Sequence, residues 1–282
     1  MKKLTRRSFH AHAEGFSSLT IKGEDQTQRL NKYLANSGIC SRRDVASFLK
    51  KHYVTVNGQR VKKPGVRIDL QKDDIRLHGN KIKTSQFVYY LVNKPTGIIS
   101  TTDDEYRREN VTSLVPFSGK IYPVGRLDKD TTGLLLLTND GELTYLLTHP
   151  KYHIDKVYRL QIANTPTIAQ LHALRNGVLL QDGLTASAKV VVLRSEKARH
   201  FLEMTIHEGR NRQIRRMCET VGIRLLALQR IRFGTLSMRG LAEGKYRTLT
   251  DQEVDSLKKA AGFPILRSVP VQKEKAEQRE RE

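Results

Sequence analysis

Tryptophan is absent from the 282 residues, and aromatic residues make up only 6% of them. That weighs against a single-strand binder built mainly from stacking platforms. Cysteine is scarce too. Cys40 and Cys218 lie far apart, with no CxxC pair and no His/Cys metal spacing, so no metal site is expected. Without a disulfide framework, a reducing cytoplasmic compartment is expected. Long apolar runs are missing: Leu134 to Leu137, the longest near the middle, is far too short to span a bilayer. The basic start Met1-Lys2-Lys3-Leu4-Thr5-Arg6-Arg7 is not followed by a signal-type apolar run. Phosphate-loop and dinucleotide signatures are absent, so no such cofactor is expected. Negative charge is also in short supply. Fifty Lys and Arg face 29 Asp and Glu, a formal net charge of +21. A surplus that large implies a polyanionic partner, although a merely basic surface would have the same composition. No strongly amphipathic basic helix stands out, which disfavours a membrane surface.

Along the chain, residues 1–27 read as a basic, flexible arm without periodicity. Residues 28–82 read as a compact module. Leu30, Tyr33 and Leu34 keep helical spacing, and Ser37-Gly38 ends that helix. Ser41, with Asp44 three residues on, resembles an N-cap for a second helix carrying Val45, Phe48 and Leu49. Val54 and Val56 alternate before Asn57-Gly58, a hairpin signal. Between Arg29 and Arg76 there are twelve Lys or Arg and four Asp or Glu. Residues 86–262 mix strand-like and helical segments without regular strand–helix alternation. The expected fold class is therefore α+β, with a mixed, largely antiparallel sheet and flanking helices. Phe87 to Asn93, Tyr158 to Ile162, Lys189 to Leu193 and Phe201 to Ile206 read as strands, and Thr167 to Leu174 as a helix. Residues 263–282 read as a charged, disordered tail.

Three segments carry chemistry. Gly125-Arg126-Leu127-Asp128 opens a loop that leads through Asp130 and Gly133 into the apolar run Leu134 to Leu137, followed by Asn139-Asp140-Gly141, read as a tight turn. A carboxylate on a loop against a rigid strand is held well enough for catalysis, yet Asp128 could equally cap a turn or pair with Arg126. The second segment, His207 to Cys218, packs four arginines, Arg210, Arg212, Arg215 and Arg216, into seven residues. Interleaved Ile206, Ile214 and Met217 would hold it against a core, which places the arginines to pair with carboxylates or phosphates rather than only to solvate a face. The third, Lys156-Val157-Tyr158, is weak alone, because a strand tyrosine is more often core.

Together these segments resemble the pseudouridine synthases, specifically the RsuA family that modifies ribosomal RNA. The Gly-Arg-Leu-Asp block with its Gly-Leu-Leu-Leu-Leu-Thr continuation, the Gly209 to Met217 arginine motif, Asn93-Lys94-Pro95-Thr96-Gly97 and Lys156-Val157-Tyr158 carry the likeness. The front module resembles the RNA-binding domain named after ribosomal protein S4, through Arg29 to Leu34, Ser41-Arg42-Arg43 and Val56-Asn57-Gly58. The likeness covers roughly residues 28–262, with no departure at the motif positions.

The resemblance implies the following. Asp128 is the essential carboxylate, and Arg215 pairs with it and keeps it ionised. Tyr158 stacks on the uracil and assists proton removal from C5, and Ile214 packs on the base. Arg126 fills the space left by an extruded nucleotide. Arg212, with Arg42, Arg43 and Lys32 of the front module, holds RNA. Arg210, beside Gly209, is expected at a more exposed turn as a phosphate contact. The reaction needs no cofactor. The partner is ribosomal RNA, more of the large than the small subunit, or a ribosome assembly intermediate, with the enzyme a monomer. A non-catalytic ribosome-assembly or translation-associated RNA binder is the alternative. A DNA binder is disfavoured by the lack of a helix-turn-helix or zinc pattern.

Overall fold

The computed structural model describes residues 27–83, 85–101, 109–193 and 199–263. All of the expected arm except Thr27, and all of the expected tail except Phe263, lie outside these residues.

The front module runs Thr27–Arg29 (β1), Leu30–Asn36 (α1), Val45–Lys51 (α2), Val54–Val56 (β2), Gln59–Arg60 (β3), Arg67–Asp69 (β4), Ile75–Leu77 (β5) and Asn80–Lys81 (β6). Leu30 and Leu34 from α1, Val45 and Leu49 from α2, and Val54, Ile68 and Ile75 from the strands close one small core. Burial of each such side chain contributes about 1.5–3 kcal/mol. Asn57 and Gly58 both take positive φ, +52° and +79°, as a two-residue hairpin between β2 and β3 requires. A second turn of the same kind, His78-Gly79, joins β5 to β6 and was not foreseen, because histidine is a weak turn signal. Ser41 does accept from the Asp44 amide, but it closes a separate turn, and α2 starts only at Val45.

The second region holds Tyr89–Lys94 (β7), Tyr122–Pro123 (β8), Thr132–Thr138 (β9), Gly141–Thr148 (α3), Lys156–Ile162 (β10), Ile168–Asn176 (α4), Leu179–Leu180 (β11), Gly183–Leu184 (β12), Lys189–Val192 (β13), His200–Ile206 (β14), Gln213–Thr220 (α5), Leu225–Phe233 (β15), Leu236–Ser237 (β16), Tyr246–Thr248 (β17) and Asp251–Ala260 (α6). The main sheet is ordered β13-β14-β10-β15-β9-β7-β17, with β8 and β16 attached to β9 and β15. Of these pairings only β9 with β15 is parallel, so the sheet is mixed and largely antiparallel, as expected.

Strand β9 explains its own sequence. It lies in the middle of the sheet with both faces covered, so it reads as an unbroken apolar run. Leu135 and Leu137 join the core on one face, with Leu160, Leu202 and Met217; Leu134 and Leu136 join the core on the other, with Leu146, Phe233 and Leu257. Gly133 lets β9 approach β15. Its φ is +107°, and a Cβ there would collide with the Arg230 backbone. Asn139-Asp140-Gly141 is not a turn between strands. The Asp140 carboxylate accepts from the Glu142 and Leu143 amides, both at 3.0 Å, and caps α3. Among the described residues, no helix is long and apolar enough to cross a membrane.

Candidate active site

The loop carrying Asp128 is pinned on both sides. Before it, Leu127 is buried and exchanges two bonds with the Ser100 hydroxyl: Ser100 donates to the Leu127 carbonyl at 2.8 Å and accepts from its amide at 3.1 Å. After it, the Thr131 amide donates to the Asp128 carbonyl at 3.1 Å, and the Gly97 amide to the Lys129 carbonyl at 2.9 Å. Beneath the loop, Lys94 is fully buried at the end of β7. Its Nζ donates to the carbonyls of Pro95, Lys129 and Thr131 at 2.9, 3.3 and 2.9 Å. Burial pushes the Lys94 pKa down to about 8, against the pull of Asp130, Asp128 and Glu243. An ammonium has one hydrogen for each of the three carbonyls. The Asn93-Lys94-Pro95 block therefore supports the Asp128 loop from below.

The arginine segment meets this loop from the other side. Arg212 adopts left-handed backbone, φ +47° and ψ +33°, and starts α5. Holding a non-glycine residue there costs about 1–3 kcal/mol and marks an over-determined turn. The turn aims Arg212 and Arg215 at two carboxylates. Arg215 Nη2 lies 3.2 Å from the Asp130 carboxylate and donates to the Asp130 carbonyl and the Thr131 hydroxyl, each at 3.1 Å. Arg215 Nε is 3.8 Å from Asp128, and Arg212 Nη1 is 3.8 Å from Asp128 and 3.5 Å from Asp130. The tighter contacts go to Asp130. Asp128 keeps both cations near but is clamped by neither, and its side chain is 30% exposed to the cleft. Arg126 does not pair with it and instead stands exposed at the rim.

The other two arginines are not free for phosphate. Arg216 makes a two-pronged pair with Asp182, at 2.8 and 3.0 Å. Arg210 donates to the carbonyls of Gly183 and Leu184, at 3.0 and 2.6 Å, and pairs with Glu208 at 3.3 Å. Both hold the β11–β12 hairpin to the arginine segment. Arg210 is thus a bracket rather than the exposed contact expected. Glu208 in turn accepts from the Gln213 amide group and from the Ala186 backbone amide.

A cleft of about 780 Å³ opens over Asp128. Tyr158, Ile206, Ile214 and Leu228 give it apolar walls. Tyr158 is only 8% exposed, so it is a core residue and a cleft residue at once. Lys156 and Arg230 bring positive charge to the same cleft. Burial, then the neighbouring Arg230, pushes Lys156 down to about 8, while its Nζ donates to the Ile154 and His207 carbonyls, both at 2.9 Å. Arg230, 2% exposed, donates to the Leu134 carbonyl at 2.6 Å and lies over the Phe233 ring. Lys94, Asp182 and Arg230 were not singled out from the sequence as site residues. Lys94 lay in a recognised block, whereas Asp182 and Arg230 carry no local signal. Among the described residues, no group of three His, Cys, Asp or Glu side chains could hold a metal ion.

The front-module candidates lie apart from the cleft. Lys32 pairs with Glu142 at 3.1 Å, and Lys120 donates to the Ile39 carbonyl at 3.4 Å. The Arg42 guanidinium lies against Gly141. Arg43 is exposed.

Comparison with known proteins agrees with this geometry. Residues 88–220 match the family model described as RNA pseudouridylate synthase, and residues 28–75 match the S4 domain. The chain is 42% identical to ribosomal large subunit pseudouridine synthase B of Bacillus subtilis, over 83% of this chain and 97% of that one. It is 35% identical to the dual-specificity RNA pseudouridine synthase RluF of Escherichia coli K12, over 83% of this chain and 79% of that one. A crystal structure of a pseudouridylate synthase aligns with a TM-score of 0.59 at 31% identity, covering 81% of this chain and 99% of that one. The chain belongs to the RNA pseudouridine synthases, in the RsuA-like branch that carries an N-terminal S4 domain.

Proposed function

We propose that this enzyme isomerises a specific uridine of ribosomal RNA, in the large subunit, with Asp128 as its catalytic carboxylate. The observation that carries the role of Asp128 is its position: an acid on a loop braced from three sides, facing a cleft with apolar walls, with two guanidiniums at 3.8 Å that leave it uncovered. The large-subunit target rests on the 42% identity to ribosomal large subunit pseudouridine synthase B of Bacillus subtilis.

The reaction breaks the bond from C1′ to N1, turns the uracil and joins C1′ to C5. The proton lost from C5 is balanced by one gained at N1. A stacked base hides its glycosidic bond, so the nucleotide must leave the helix first. Arg126, exposed at the rim, is placed to occupy the gap it leaves. Within the cleft, Ile214 and the Tyr158 ring sandwich the freed base, and Asp128 acts on the ribose or the base. The Tyr158 hydroxyl then assists proton removal from C5. Arg212 and Arg215 stabilise charge on Asp128 in a site of reduced dielectric. Residues 28–82 act as an RNA-holding module and residues 86–262 as the catalytic domain. The enzyme works as a cytoplasmic monomer on free ribosomal RNA or an assembly intermediate.

The test is Asp128→Asn, which keeps shape and removes the charge. Product formation should be abolished, with RNA affinity retained within about threefold; turnover near wild type would unseat Asp128. Mapping pseudouridines in ribosomal RNA with and without the gene names the uridine, and loss of a small-subunit position would redirect the target.

A further inference from the structure

Helix α3 links two places that RNA would have to connect. Near its N-terminus, Glu142 pairs with Lys32 of the front module. At its C-terminal end, Thr148 and, just beyond, Pro150 line the cleft. The helix is about 12 Å long. Glu142, Tyr145 and His149 fall at helical spacing on one face, and all three are exposed.

That face carries an unusual concentration of rings for a chain so poor in them. Tyr145 is 48% exposed although large and apolar. Its ring centroid lies 5.0 Å from that of His149 and 5.9 Å from that of Tyr152. The exposed Lys151 sits over both tyrosines, 5.7 Å from the Tyr145 ring and 4.6 Å from the Tyr152 ring. One step further, the His153 and His207 rings lie 4.9 Å apart, and His207 lines the cleft. Tyr152 and His153 are chain neighbours, so this ring group lies beside the His153–His207 pair at the cleft wall. Exposed rings backed by a cation suit a nucleobase, whose π-face stacks on the ring while its phosphate meets the charge.

We propose that Tyr145, His149 and Tyr152, with Lys151, form a stacking site for an unpaired base of the RNA, beside the nucleotide that enters the cleft. The site presupposes that RNA occupies the cleft, as proposed above. It implies that the target uridine lies in a loop or bulge with an unpaired neighbour, because a base inside a duplex offers no free face. Tyr152 packs partly against the core and fixes the platform, while Tyr145 presents the open ring.

The experiment uses the full chain and two end-labelled probes at matched salt: a ten-nucleotide oligoadenylate, and the same sugar-phosphate length without bases. Affinities are read by fluorescence anisotropy for wild type, Tyr145→Ala and Tyr145→Phe. Tyr145→Ala should weaken oligoadenylate binding about tenfold and leave the abasic probe unchanged, as loss of one stacked base predicts. Tyr145→Phe, which keeps the ring, should bind as wild type. Equal losses on both probes, or no loss on either, would overturn the stacking site; no loss would point to a protein partner for this face. Oligoadenylate contains no uridine, so the outcome does not depend on whether Asp128 performs the chemistry. Circular dichroism of each variant separates lost stacking from lost folding.

Discussion

Arg216 and Asp182 face each other across 34 residues of chain as a two-pronged ion pair, Nη1 to Oδ1 at 2.8 Å and Nη2 to Oδ2 at 3.0 Å. The pair ties the β11–β12 hairpin to the first turn of α5, the turn that also carries Arg212 and Arg215. Asp182→Asn should therefore act on the acid it never touches. With the arginine turn misplaced by about 1 Å, the single-turnover rate at saturating RNA should fall by up to about a hundredfold. The exchanged pair, Asp182→Arg with Arg216→Asp, should recover much of that loss. Hydrogen bonding to Arg216 holds the Asp182 carboxyl below its ordinary value. Its contribution is thus complete above about pH 4 and is lost only as the pH falls through the depressed value. A wild-type rate for Asp182→Asn at neutral pH would mean the bracket does not position the arginines.

Lys94 gives a pH dependence of the opposite kind. Its pKa is held down to about 8 by burial. Above that pH it has two hydrogens for three carbonyls, and the loop carrying Asp128 loosens. The single-turnover rate should fall on a basic limb near pH 8. Stability should not fall with it. Between pH 8 and the ~10.4 of an unfolded lysine, the unfolded chain holds more protons than the folded one, so this group, like Lys156, raises the unfolding free energy as pH rises. Rate and thermal stability measured over pH 7 to 10 should diverge. A parallel decline of both would show global unfolding and remove Lys94 from the account.

The central strand and the hairpin at Asn57-Gly58 were legible because their signals are local: a double-faced apolar run, and a dipeptide that accepts positive φ. Asp128 was legible as a candidate together with Arg215, Tyr158 and Ile214, whereas the partners that brace it, Lys94 and the Arg216–Asp182 pair, were not. Arg215 was expected beside Asp128, but only tertiary contacts show that Arg210 is a bracket for the β11–β12 hairpin and that Arg215 also faces Asp130. Gly133 has no local reason in the sequence, because its requirement comes from Arg230 on a strand almost a hundred residues later. The ring cluster at the end of α3 has no compositional signal, since composition shows rarity and not clustering.

Lys32 and Arg43 should separate in RNA binding. Both belong to the basic front module, but Lys32 is paired with Glu142 whereas Arg43 is exposed. A cation already paired contributes less to counterion release. Arg43→Ala should lower the slope of log affinity against log salt by about one, and Lys32→Ala by clearly less. Titrations with an RNA hairpin between 50 and 200 mM salt would decide it. Equal slopes would mean that the Lys32–Glu142 contact gives way when RNA binds.

Arg215→Ala and Arg210→Ala should fail in different ways. Arg215 is 16% exposed and stands between Asp128 and Asp130. Removing it leaves two carboxylates facing Arg212 alone. Breaking a fully buried pair costs about 3–5 kcal/mol, and partial exposure reduces that here to about 2 kcal/mol, roughly thirtyfold in rate. Arg210 instead donates to the Gly183 and Leu184 carbonyls. Its loss frees the hairpin and should cost roughly 1–2 kcal/mol of stability, with little change in the salt dependence of RNA binding. Single-turnover rate at saturating RNA, thermal unfolding, and affinity against salt should be measured for both variants. If Arg210→Ala loses the chemical step while Arg215→Ala only lowers stability, the two arginines have exchanged roles, and the cation that serves Asp128 in the working complex is not the one that faces it here.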